Sequence, residues 1–82
     1  IMPNTQKHID RVCDYRNIPR VRKGMKCVVE DRSGVIVGGN SSANFNVQFD
    51  DNGDIRNCHP NYKLQILTPS GGIYYDHEQG IF

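Results

Sequence analysis

Cys58 and His59 are the adjacent residues in this sequence best suited by type to nucleophile and base chemistry. A thiolate needs a neighbouring base or cation to form near neutral pH, and imidazole is a common base. Both lie in a strand-like stretch, where consecutive side chains point to opposite faces and cannot form a direct dyad. A buried Cys58 beside an exposed His59 is therefore expected. These two residues, with Cys13, Cys27, His8 or His77, are zinc-ligand types, but no paired spacing supports a site, so no metal or other cofactor is expected. Asp50, Asp51, Asn52 and Asp54 gather oxygen donors in a segment too short for an EF-hand loop with its distant Glu, which predicts a simple turn. No catalytic triad order, phosphate loop or paired-carboxylate arrangement appears elsewhere, and a non-enzymatic protein is expected.

A second group is cationic. Arg16, Arg20, Arg22, Lys23 and Lys26 crowd one short region, as phosphate binding requires, and Arg32 and Arg56 are further candidates for it. Up to Lys26, seven basic residues face two acidic ones, a net +5, whereas the remainder carries a net −4 and the whole chain +1. The cluster therefore suits neutralisation of the acidic half, and the overall charge is far below that of a typical nucleic-acid binder. A nucleic-acid accessory module is the alternative function. Phosphate would then approach from the side away from Asp50, Asp51 and Asp54.

These residues must be positioned by a small scaffold. With 82 residues and a mean hydropathy of −0.62, the chain has one core near the lower limit for independent folding. Met2 is read as the start of translation. Asn4 or Thr5 is expected to cap a short helix whose Ile9, Val12 and Cys13 share a face, with Lys7, Arg11 and Asp14 outside and Asn17 and Pro19 ending it. The helix and basic connector occupy 2–23. A β region follows over 24–68: a strand from Met25 to Glu30, a turn at Asp31-Arg32-Ser33-Gly34, a strand from Val35 to Val37, and a mobile polar loop from Gly39 to Asn44. In the third strand Phe45, Val47 and Phe49 alternate with polar residues, which points the phenylalanines inward. Asn52-Gly53 predicts a type I′ turn into a strand around Ile55 to Cys58. His59 to Tyr62 suits one helical turn before the fifth strand, Leu64 to Leu67. Residues 69–82 form a tail, or add a strand at Ile73, Tyr74 and Tyr75.

Five short strands, with a hairpin between the third and fourth and a helical turn before the fifth, resemble the SH3-like barrel superfold from Lys23 to Leu67. Lys23-Gly24, Cys27-Val28-Val29 and Ser33-Gly34-Val35-Ile36-Val37-Gly38 are similar to KOW-type modules. Asn46-Val47-Gln48-Phe49-Asp50-Asp51-Asn52-Gly53, with Leu64 and Leu67, is similar to the back half of Tudor domains. A methylated-peptide cage, which the Tudor resemblance would imply, needs several aromatic rings around the cation. Here Asn52 holds an aromatic position, and the first two strands contain no aromatic residue. In size and texture the chain also resembles small phage or prophage proteins. The fold expected is mainly β, a five-stranded SH3-like barrel with a short N-terminal helix and a C-terminal tail or extra strand.

Such barrels act as recognition modules more often than as enzymes. The leading expectation is a protein-interaction or structural adaptor module that binds a protein partner or a second copy of itself, through a barrel edge, the polar loop and the aromatic tail. Asn40 and Asn44 in the loop, and Tyr74, Tyr75 and Phe82 in the tail, are the candidate protein-binding residues. Tyr74, Tyr75, Ile81 and Phe82 are more apolar than a solvated tail requires, so they either cover the barrel or meet a partner, and covering is favoured because the core is so small. Three widely spaced cysteines argue for free thiols in a reducing compartment. No apolar run suits a signal peptide or approaches the roughly 20 residues of a membrane span. Location in the cytoplasm, or in a phage particle assembled there, is expected, with no membrane and no small-molecule substrate.

Overall fold

A computed structural model of the chain describes residues 6–82. The expected start at Met2 and cap at Asn4 or Thr5 lie outside the described residues. The helix α1 spans Gln6–Arg16 and buries Ile9, Val12 and Cys13, the stripe that the spacing predicts. Its C-terminus closes as a Schellman motif. Asn17 adopts a left-handed backbone (φ 56°), its N–H donates to the Asp14 carbonyl (3.3 Å), and the Ile18 N–H reaches back to Cys13 (3.1 Å). Gln6 then ties the helix to the connector, because its side chain donates to Val21 O (2.7 Å) and accepts from Lys23 N–H (2.7 Å).

Six antiparallel strands follow: β1 (Lys26–Val29), β2 (Arg32–Gly39), β3 (Phe45–Phe49), β4 (Ile55–Cys58), β5 (Leu64–Leu67) and β6 (Ile73–Asp76). They form one sheet in the order β4-β3-β2-β1-β5-β6. The expected count of five becomes six because the tail takes its strand alternative. The sheet ends at β4 and β6, which are not paired with each other among the described residues.

Two turns differ from expectation. The β1–β2 turn is Glu30-Asp31, with both residues at positive φ (48° and 69°) and Val29 paired with Arg32, so β2 begins at Arg32 and runs on to Gly39. Gly34, the apparent turn residue, lies within β2 opposite Cys27, where close packing calls for glycine: a Cβ there would sit 2.8 Å from both Gln48 O and Val47 Cγ1. At the β3–β4 hairpin only Gly53 is left-handed (φ 73°). The Asn52 side chain accepts from Asp54 N–H (2.9 Å), while Phe49 N–H donates to Asp54 O (2.9 Å), giving a longer loop than a type I′ turn.

The polar loop reduces to Ser41, Ser42 and Ala43, closed by Asn40 N–H to Asn44 O (3.0 Å). Its left-handed position is occupied by Ala43 (φ 58°), a conformation that disfavours a Cβ. Ala43→Gly is expected to raise stability by about 1 kcal/mol, read as a higher urea midpoint with unchanged m-value.

One core joins all three expected segments. Ile9, Val12 and Cys13 of α1, Val21 of the connector, and Cys27, Ile36, Phe45, Val47, Leu64 and Ile66 of the sheet share it with Tyr75 of β6. The alternation in β3 holds: Phe45, Val47 and Phe49 are buried. Asp76 secures the end of the tail. It is only 4% exposed, accepts from Gln65 Nε2 (2.9 Å) and Gln79 Nε2 (2.6 Å), and exchanges both main-chain bonds with Ile81.

The Gln65 hydrogen bond, reinforced by those of Gln79 and Glu78 and opposed by desolvation, holds the Asp76 carboxyl below its usual pKa of 3.8. A carboxyl depressed on folding contributes stability that is complete above its unfolded pKa and lost as pH falls through the folded one. Acid titration of stability should therefore show a loss below about pH 4 that Asp76→Asn flattens.

Candidate functional site: the β4 edge

The five cations of the sequence cluster do not share one role. Arg16 is turned onto the loop, donating to Ala43 O (2.9 Å), Ser42 O (3.3 Å) and Asn44 Oδ1 (3.0 Å). Arg20 pairs with Asp14 (2.7 Å) and donates to the Asp10 carbonyl (2.9 Å), while its own carbonyl accepts from Tyr74 Oη. Arg22, Lys23 and Lys26 are exposed around the turn that places Gly24 at positive φ (97°).

Asn40 and Asn44 are engaged in the same loop network as Arg16. Asn40 Nδ2 donates to Asn46 Oδ1 (2.9 Å) and Asn57 Oδ1 (2.6 Å), and Asn40 Oδ1 accepts from the Ser42 and Asn44 amides. In the tail, Tyr75 is fully buried and donates to Asn61 Oδ1 (3.0 Å), Tyr74 is half-buried, and Phe82 is exposed near the Tyr75 and His77 rings. Arg16, Arg20, Asn40, Asn44, Tyr74 and Tyr75 are thus each hydrogen-bonded within the chain itself.

Cys58 ends β4, and His59 follows just beyond the strand as an exposed residue. Cys58 is buried, and desolvation raises its thiol pKa. Burial also raises the pKa of Cys13 and pushes that of Cys27 up to about 12. Desolvation lowers the pKa of His59, whose Nδ1 accepts from Asn61 N–H (3.0 Å). Among the described residues, no group of three His, Cys, Asp or Glu residues is arranged to hold a metal.

β4 is an edge strand with open pairing capacity. Among the described residues its only ladder is with β3, in the register Phe45↔Cys58, Asn46↔Asn57, Val47↔Arg56 and Gln48↔Ile55. The Phe49 N–H bond to Asp54 O fixes the phase of that ladder. Antiparallel bonding alternates, so Arg56 and Cys58 exchange bonds with β3, whereas the N–H and C=O groups of Ile55 and Asn57 face away from it. At the opposite end of the sheet, Ile81 covers part of β6 by pairing with Asp76. The two edges are therefore unequal.

Beside β4 lies a cleft of about 500 Å³ lined by Arg32, Phe49, Arg56, Cys58, His59 and Tyr62, among others. Arg32 lines it: its guanidinium sits 4.0 Å from the Phe49 ring centre and grips Asp51 through two bonds of 3.0 and 2.9 Å. That fork holds the Asp51 carboxyl below its usual range and raises the Arg32 pKa. No protein-family model matches the chain, and no curated protein or solved structure gives a significant match. Ile55 is 49% exposed and Tyr62 54%, so the edge presents apolar side chains next to open main-chain groups. Arg56 bonds Asp54 at 3.3 Å on the same edge. The sequence gives little notice of this site, because unpaired backbone groups depend on sheet order rather than residue type.

No helix among the described residues is long and apolar enough to cross a membrane.

Proposed function

We propose that this chain is a non-enzymatic protein-interaction module whose β4 edge receives an extended segment of another polypeptide. The observation that carries this reading is the outward-facing main chain of Ile55 and Asn57 on a strand with one neighbour among the described residues. Main-chain pairing supplies affinity in such strand addition, and the adjoining side chains supply selectivity. Ile55, Arg56 and Tyr62 are suited to the second task. We read the first five strands as an SH3-like arrangement, supported by the β3–β4 hairpin, the turn over 59–62 and the return of β5 to β1.

The phosphate-binding alternative has less support, because Arg16 and Arg20 are held by carbonyl and carboxylate groups of the chain itself. It requires Arg22, Lys23 and Lys26 to act without them. Charge reversal at Arg22 and Lys23, with affinity followed against salt, tests that alternative.

Proline at Ile55 tests the leading proposal, because it removes a donor that faces away from β3 and is compatible with an edge strand. Peptides selected from a displayed random library should shift the Ile55 and Asn57 amide resonances and lose at least about tenfold in affinity to Ile55→Pro. Binders that perturb other surfaces and are indifferent to Ile55→Pro would overturn the proposal.

A further inference from the structure

We infer that the β4 edge pairs with the β4 edge of a second copy of this chain, forming a two-fold antiparallel dimer with Ile55 at its axis. The inference rests on the edge-pairing reading above and names its partner. A two-fold interface brings one patch against itself, so the edge must be complementary to its own reverse. The segment Asp54-Ile55-Arg56 has that property.

When Ile55 pairs with Ile55 of the second copy, each Asp54 stands opposite the other copy's Arg56. The open N–H and C=O groups of the two Ile55 residues then exchange two main-chain bonds. Both charged residues are exposed and already lie together within one chain, at 3.3 Å, so pairing across the axis requires little rearrangement.

Charge selects this register over its neighbours. Moving the axis to Arg56 places two arginines directly opposite, which is unfavourable. Moving it to Asn57 sets Arg56 against Cys58 and Ile55 against His59, with no opposite-charge pair. Only the Ile55-centred register among these three joins exposed open main chain to two symmetric ion pairs.

Sedimentation of the full chain and its charge variants provides the test. At high micromolar concentration the wild type should sediment at twice the 9.3 kDa chain mass. Asp54→Arg and Arg56→Asp should each weaken self-association by roughly tenfold, because two symmetry-related pairs become repulsive at once. An equimolar mixture of the two variants should recover a heterodimer, and the double variant D54R/R56D should recover the homodimer. Far-UV circular dichroism verifies that each variant is folded.

A wild type that stays monomeric, or variants that associate as strongly as the wild type, would overturn the inference. The wider reading fails separately. A monomer whose Ile55 and Asn57 amides respond to selected peptides removes the second copy as partner while keeping the edge as a binding strand. A monomer with no such response removes both.

Discussion

Replacing Gly39 with alanine should destabilise the protein by about 2 to 3 kcal/mol, through the docking of α1 rather than through strand propensity. A Cβ at Gly39 would fall 2.5 Å from the His8 carbonyl oxygen and 2.8 Å from Val12 Cγ2. The first contact is with helix backbone, which no side-chain rotation can relieve. The helix must then lift, and Ile9, Val12 and Cys13 lose close contact with the sheet. A domain of this length has a stability on the order of 5 to 10 kcal/mol, so this one methyl group removes a large part of it. Urea denaturation measures the loss. Gly53→Ala is the control: nothing lies within 4 Å of its Cβ, and its cost should be the roughly 1 kcal/mol of left-handed strain alone. Equal effects at the two sites would refute the helix-docking account.

Tyr75→Ala should have the larger effect, about 3 to 5 kcal/mol, comparable with removal of other large aromatic core residues. Tyr75 is fully buried, pairs with Ile66 across β5 and β6, and anchors its hydroxyl on Asn61 beyond the core. Its loss opens a cavity beneath β6 and strands the Asn61 acceptor. Tyr75→Phe separates the two contributions and should cost only about 1 kcal/mol, the ordinary net value of one hydrogen bond. Thermal denaturation of both variants distinguishes a core strand from a dispensable arm. A small change in Tyr75→Ala would show that β6 does not belong to the cooperative unit.

The helix face and the third strand were legible because both depend on local periodicity. Ile9, Val12 and Cys13 recur at helical spacing, and Phe45, Val47 and Phe49 at strand spacing; all six are buried. The turns were less legible, since two left-handed positions are filled by Glu30 and Asp31 while Gly34 serves close packing inside β2. Local composition therefore misplaced the bend by pointing to the glycine. Arg16 and Asn40 were visible as polar residues, but their engagement across separations of 27 and 17 residues follows only from the folded chain. The candidate site is of the same kind. Ile55 and Asn57 differ from Arg56 and Cys58 in the direction of their backbone groups, a distinction set by ladder phase and strand order.

Amide hydrogen exchange along β4, compared between dilute and concentrated protein, tests the open edge most directly. In dilute solution Arg56 and Cys58 should be protected by β3 while Ile55 and Asn57 exchange rapidly. On concentration, Ile55 should gain protection selectively. Strong protection of Ile55 and Asn57 in the dilute monomer would contradict the open edge, and an exchange pattern unchanged by concentration would contradict its pairing with a second copy.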